Sequence, residues 1–292
     1  MIRLSNGHTF DYMAASGAYS FDGRGWWWEI LLSRLAIIDP SLMTVVAKTV
    51  TMEPRKGNLN MLHPWSCIRL IKDGAVNAVG LTNPGIKRWC LGPGLTLNHK
   101  KAPVLASIMG SPDELEYMAG MLNYIDVLGV EINASCPNTG EDLANNVEDM
   151  ILGVCKVKET TKLPIILKLS KAHEGSFERI VGEVRGKVEA ISLNSVPWKL
   201  VFPEKVSPLA RLGGGGVSGK IVQPILWPLV QKLSGMTDIP IIGPSVWEFE
   251  DMARLREMGA KAVSFGTVCL SHPFRPTCFI RREVQTAGQT TI

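Results

Sequence analysis

Residues 130–140 read Val-Glu-Ile-Asn-Ala-Ser-Cys-Pro-Asn-Thr-Gly. An apolar run enters a turn carrying two amides, a hydroxyl and a thiol. Asn133 and Asn138 each offer a donor and an acceptor, so together they can read a flat, amide-rich ring. Cys136 precedes Pro137, whose ring fixes the local backbone, and its thiol can take a proton or attack. A buried cysteine acting as a small hydrophobe in a βα turn is the plainer alternative. Similar polar residues end other apolar runs: Lys48, Asn77, Lys168 and Asn194. A four-glycine stretch, Gly213-Gly214-Gly215-Gly216, leads into Val217-Ser218-Gly219-Lys220. Successive N–H groups in such a stretch can cradle an anion, although glycine runs are as often plain flexible loops. The spacing is not that of a P-loop.

These residues need a scaffold that brings strand ends together. Apolar, β-rich runs cover 44–50, 76–81, 104–108, 128–133, 165–169, 190–194, 239–242 and 262–265. Most are continuously apolar, as parallel strands buried on both faces should be. Helical stretches alternate with them. Ser111-Pro112-Asp113-Glu114 is a helix start, 145–158 and 223–233 carry apolar spacing, and 247–258 stops at Gly259. Eight such units without a linker predict one α/β domain over 1–292, a (β/α)8 TIM barrel. An N-terminal hairpin over 1–13, closed at Asn6-Gly7, precedes it, and 285–292 reads as a flexible tail. Lys48, Asn77, Asn133, Lys168, Asn194 and Gly266 then sit at or just after the C-terminal ends of different strands, where barrels build active sites. The segments Ile241-Ile242-Gly243-Pro244-Ser245 and Ser264-Phe265-Gly266-Thr267 close strands seven and eight, the usual phosphate-binding loops of a barrel. A phosphorylated cofactor is the expected occupant.

Composition narrows the class. The 292 residues are 46% hydrophobic with a net charge of +4 and no run of five like charges, which suits a small anionic ligand better than nucleic acid. The six cysteines form no C-x-x-C pair, so neither a zinc nor an iron–sulfur site is expected, and a reducing, cytoplasmic setting is. No apolar run approaches the ~18 residues of a membrane span. Trp26-Trp27-Trp28-Glu29-Ile30-Leu31-Leu32 reads as a core-packed amphipathic helix, with a membrane-surface or partner contact as the second reading.

In order along the chain, the motifs resemble those of the dihydroorotate dehydrogenase family. They are Ala15-Ser16-Gly17, Lys48-Thr49-Val50-Thr51, Arg55-Lys56-Gly57-Asn58, the segment from Asn77 through Gly80 and Leu81 to Asn83, the Asn133–Asn138 turn, Lys168, Asn194-Ser195, Gly215–Gly219 and Gly266-Thr267. The resemblance implies an FMN-dependent oxidation of dihydroorotate to orotate in pyrimidine biosynthesis. Cys136 is then the base at C5, and a hydride leaves C6 for flavin N5. It implies that Lys48, Asn77, Gly80, Leu81, Asn133, Asn138, Asn194 and Ser195 line the substrate pocket. Ala15, Ser16, Gly17, Lys48, Thr49, Asn133, Lys168, Leu193 and Asn194 would lie along the flavin. Gly215, Gly216, Gly243, Ser245, Val246, Gly266 and Thr267 would hold its phosphate. A cysteine base is the mark of the soluble class 1 enzymes, expected as homodimers. Their acceptor is fumarate, or NAD through a separate electron-transfer subunit.

Two places depart from the family pattern. The turn after strand seven usually carries a Gly-Gly pair, and here it reads Gly243-Pro244-Ser245-Val246; proline has no N–H to offer. The connection after Cys136-Pro137-Asn138 is also shorter than the usual lid. Rival readings are a dihydropyrimidine dehydrogenase-like flavin domain, a tRNA-dihydrouridine synthase and a catalytically degenerate barrel kept as a scaffold. The first calls for added iron–sulfur domains and the second for a basic RNA-binding appendage, and neither is visible in this sequence.

Overall fold

The computed structural model describes residues 1–60, 62–134, 146–193 and 195–289. Strands β1 (Ile2–Arg3) and β2 (Thr9–Phe10) pair around Asn6-Gly7, with Gly7 at φ +89°. The segment just after them corrects the expected hairpin boundary. Tyr12–Ala14 (β3) is the first barrel strand, hydrogen-bonded in parallel to the last. Helix α1 (Trp27–Arg34) leads to β4 (Thr44–Val46).

A second correction concerns 76–81, expected as a barrel strand. Instead, β5 (Ile68–Ile71) and β6 (Gly74–Asn77) form an antiparallel hairpin outside the barrel. It leaves room for Tyr12–Ala14, so the count of eight stands with one member exchanged. Then follow α2 (Ile86–Leu91), β7 (Val104–Ile108), α3 (Pro112–Leu122), β8 (Val130–Asn133), α4 (Val147–Thr160), β9 (Ile165–Leu169), α5 (Phe177–Val184) and β10 (Ala190–Leu193). Strand β11 (Val196–Pro197), α6 (Trp198–Val201) and β12 (Gly216–Gly219) add to the outer hairpin in the order β11-β12-β6-β5. The chain closes with α7 (Gln223–Met236), β13 (Ile241–Gly243), α8 (Asp251–Glu257), β14 (Ala262–Phe265), α9 (Thr267–Ser271) and α10 (Arg275–Gln289). The barrel runs β3-β4-β7-β8-β9-β10-β13-β14 and closes on itself.

Alternation along the strands divides the core in two. Val104, Ala106 and Ile108 of β7, or Ile165, Leu167 and Leu169 of β9, pack outward into the helix layer. The opposite parity points inward. Its lower layer is apolar, with Met13, Val46, Leu105, Ile166, Ala190, Ile242 and Ala262 packed against Ile2, Leu4 and Phe10 of the hairpin. The hairpin therefore plugs the barrel floor. One step further along the same faces the inward residues turn polar: Ser107, Glu131, Lys168, Ser192 and Ser264, each buried.

Helix ends follow local chemistry. Ser111 and Glu114 cap α3 reciprocally, Ser111 N donating to Glu114 Oε2 at 2.8 Å and Glu114 N to Ser111 Oγ at 3.3 Å. The helix expected over 247–258 starts later, at Asp251, because the Asp251 carboxylate accepts the Trp247 and Glu248 N–H groups and holds 247–250 as a turn. Residues 285–289, expected in a flexible tail, continue α10. Among the described residues no helix is long and apolar enough to cross a membrane.

Candidate functional site

A cavity of about 550 Å³ opens at the C-terminal ends of the barrel strands, within the range of small-molecule sites. The outer sheet forms one wall, contributing Ile68, Leu70, Ala75, Asn77, Ser218 and Gly219. Lys48, Asn133, Lys168 and Gly266 reach the cavity from the ends of β4, β8, β9 and β14. Asn77 reaches it from the outer sheet rather than from a barrel strand. Ala15, Ser16, Gly17, Thr49, Gly80, Leu81, Leu193, Ser195, Ser245, Val246 and Thr267 also line it. Cys136, Asn138 and Asn194 lie outside the described residues.

Three expected cofactor residues sit elsewhere. Gly215 and Gly216 do not line the cavity. Gly216 pairs with Asn77 in the outer sheet, and a Cβ on Gly215 would come within 2.5 Å of the Asn77 carbonyl oxygen. The Asn77 backbone leaves no room for a side chain on Gly215. Gly243 packs under α8, where a Cβ would meet Leu255 Cδ2 at 2.9 Å. The glycine run instead brings Ser218 and Gly219 to the cavity, and Thr267 Oγ1 donates to Ser218 Oγ at 2.6 Å.

The inner wall carries a connected polar network. Lys168 Nζ donates to Glu131 Oε1 at 2.6 Å, with both side chains buried. Ser107 Oγ donates to the same oxygen at 3.0 Å. Ser107 Oγ and Thr49 Oγ1 are 2.8 Å apart, and Thr49 Oγ1 is 2.9 Å from Ser16 Oγ. Asn133 Nδ2 donates to Thr49 Oγ1 at 3.0 Å. Sequence reading passed over Ser107 and Ser192, and quoted Glu131 and Ser264 within motifs without giving either a role. Counting back two residues from Asn133, Asn194 and Gly266 finds three of them, since that step stays on one face of a strand.

The turn after β13 is built differently. Pro244 has no N–H, and Val246 N donates to Ser264 O at 3.3 Å. The Trp247 and Glu248 N–H groups go to Asp251 Oδ2 at 2.9 and 2.8 Å, joined there by Gln223 Nε2 at 2.8 Å. Of residues 244–248, only the Ser245 N–H is not engaged this way. Ser245 stands at φ +65°, a left-handed conformation that L-residues other than Asn and Asp rarely adopt.

The aromatic segment also departs from expectation. In α1 only Glu29 is buried, while Trp27 and Leu31 are 70% and 53% exposed. Trp26, Trp28 and Glu29 line the cavity, so this helix forms cavity wall rather than core. Glu29 Oε2 accepts the Trp26 N–H at 2.8 Å, and Trp26 Nε1 donates to Gly17 O at 3.2 Å. Burial pushes the Glu29 carboxyl up to about 7 against the pull of that N–H. Burial likewise raises the Cys67 thiol, opposed by the nearby Lys48 ammonium.

Comparison with known proteins agrees with this architecture. The structure superposes on a crystal structure of DHODH from Eimeria tenella in complex with ferulenol with a TM-score of 0.74 at 15% identity, covering 99% of this chain and 85% of that one. The sequence is 32% identical over 239 residues to the dihydroorotate dehydrogenase B (NAD(+)) catalytic subunit of Desulforudis audaxviator, covering 80% of this chain and 76% of that one. It is 30% identical over 267 residues to the protein of that name from Thermoanaerobacter pseudethanolicus, with 89% and 84% covered. A Pediococcus pentosaceus protein named for the A (fumarate) type is 32% identical over 240 residues, with 78% and 77% covered. Residues 32–283 match the family model described as dihydroorotate dehydrogenase. The chain belongs to the dihydroorotate dehydrogenase family.

Proposed function

We propose that this chain oxidises dihydroorotate to orotate with FMN bound in the strand-end cavity. The observation that carries the reading is the single cavity where Lys48, Asn77, Asn133 and Lys168 meet Ala15–Gly17 and Gly266-Thr267. The family is a flavin-dependent one, and the residues present fit that group. The floor at Ala15-Ser16-Gly17 is small and can lie against a flat ring, and Ser218, Ser245 and Thr267 offer hydroxyls where a phosphate would end. Bound flavin supplies the acceptor for the C6 hydride. Lys48 anchors the substrate carboxylate, and the asparagines read the ring amides; a buried amide left unpaired by a wrong ligand is a strong discriminator. Cys136 removes the C5 proton.

The acceptor is fumarate, or NAD through a separate electron-transfer subunit, and the working form is a cytoplasmic homodimer. The test is a steady-state assay of the purified, FMN-loaded protein with dihydroorotate against fumarate, NAD and quinone. Orotate should form with at least one of them. The Cys136→Ala variant should keep its FMN and lose roughly 10²–10⁴-fold in rate. Flavin reduction at the wild-type rate in that variant would remove Cys136 from the mechanism.

A further inference from the structure

We propose that Glu131 is a positioning residue of this site. Its carboxylate holds the Lys168 ammonium at the cavity wall and, through Ser107 and Thr49, sets which way the Asn133 amide faces. This rests on the flavin reading above and adds to it a residue that touches neither cofactor nor substrate.

Glu131 is fully buried on the inner face of β8, below Asn133. In the β8–β9 register Asn133 lies opposite Lys168 and Glu131 opposite Ile166. The Lys168 side chain therefore reaches back one step along the barrel to meet Glu131 Oε1. A buried ammonium without a partner would lose its charge or leave the wall. Lysine's flexible four-carbon stem gives it no fixed direction of its own. Glu131 supplies both the charge balance and the direction. Lys168 spends one of its three donors on it, and two remain for a ligand.

The second branch follows from proton counting. An ionised carboxylate only accepts, so Ser107 must give its single proton to Glu131. The close Ser107–Thr49 contact then calls on the Thr49 proton, as does the Ser16–Thr49 contact, because Ser16 gives its own proton to the Ala47 carbonyl. Having donated its only proton, Thr49 Oγ1 accepts from Asn133 Nδ2. The Asn133 N–H group is thus turned toward Thr49 and its carbonyl oxygen away. One buried charge fixes a cation on one strand and the sense of an amide on the next.

The test is a double-mutant cycle on the full-length protein with Glu131→Gln, Lys168→Met and the double variant. FMN dissociation is followed by flavin fluorescence, with the flavin absorbance spectrum and thermal melting alongside. Neighbours in one network couple, so Glu131→Gln should weaken FMN about tenfold when Lys168 is present and less than about twofold in the Lys168→Met background. Its spectral shift should vanish in that background too. The double variant removes both charges and keeps the experiment readable where a single one destabilises the fold. Ser107→Ala should weaken orotate several-fold, since it cuts the link from Glu131 to Asn133. Equal effects of Glu131→Gln with and without Lys168 would overturn the positioning role, because a merely structural residue behaves that way. Wild-type protein that binds no FMN would overturn the flavin reading, and this proposal with it.

Discussion

The two ends of the cavity are made of opposite materials. At the β8–β9 end, polar side chains rise from strand interiors and satisfy one another, with Lys168, Glu131, Ser107, Thr49, Ser16 and Asn133 joined in one network. At the β13–β14 end, one backbone donor is missing at Pro244 and three neighbours are consumed by Ser264 and Asp251. The first end is preorganised for a polar ring, and its groups pay no further ordering cost when a ligand arrives. The second offers an anion few donors and has a buried carboxylate, Asp251, behind them. If FMN is the occupant, specificity belongs to the strand-end network, and the turn after β13 is the weak point of cofactor retention.

The largest effect should come from breaking the network. Lys168→Met leaves Glu131 buried without its cation, and stranding one partner of such a pair costs about 3–5 kcal/mol. Urea unfolding should show the loss, and Lys168→Met combined with Glu131→Gln should recover much of it. A single variant as stable as wild type would mean that the pair is not buried in the working protein.

A second buried acid sharpens the contrast. Glu131 is met by an ammonium and the hydroxyls of Ser107 and, at 3.5 Å, Ser192, whereas among the described residues Glu29 is given the Trp26 N–H. The folded state keeps the Glu29 proton up to about pH 7, while the unfolded chain releases it near its ordinary value. More protons are then bound folded than unfolded between about pH 4.5 and 7, so this group's stability contribution falls as pH rises through that window. The fall is about 3 kcal/mol at most and should be flat above it. Glu29→Gln should remove this part of the profile in pH-dependent melting; an unchanged profile would show that Glu29 titrates normally.

These contrasts also show what a sequence can reveal. The barrel was legible because eight apolar runs alternate with capped helices. Lys48, Asn77, Asn133, Lys168 and Gly266 of the cavity were legible because they end such runs, whereas Ala15–Gly17, Thr49, Gly80, Leu81 and Leu193 were legible only through the family resemblance. What escaped was set by pairing between distant segments. Tyr12–Ala14 is too short to announce a strand and becomes one only between β14 and β4. The run at 76–81 has a strand's composition and pairs with β5 and β12 instead of entering the barrel. Gly215 and Gly216 look like an anion cradle, but their strand setting was hidden: Asn77 pairs with Gly216 and leaves no room for a side chain on Gly215. The three tryptophans suggested core, and the structure uses two of them as cavity wall.

Smaller effects are expected at the turn. Pro244→Gly restores one backbone donor, and a charge-assisted hydrogen bond is worth about 1.5–3 kcal/mol, roughly 10- to 150-fold in FMN affinity. Fluorescence titration should show tighter binding; no gain would mean that the Ser245, Ser218 and Thr267 groups already complete the site. Ser245→Gly relieves a left-handed serine worth about 1 kcal/mol, offset in part by the freedom glycine adds to the unfolded chain. Melting should rise slightly or stay level, and a clear drop would show that the serine hydroxyl stabilises the turn by more than its backbone costs.

The central claim is that this cavity transfers hydrogen from dihydroorotate to flavin. Anaerobic mixing of the FMN-loaded protein with dihydroorotate, in the absence of any acceptor, tests it most directly. The account predicts that the flavin's visible absorbance bleaches and that one orotate appears per flavin reduced. A folded, FMN-loaded protein whose flavin stays oxidised with saturating dihydroorotate would contradict it.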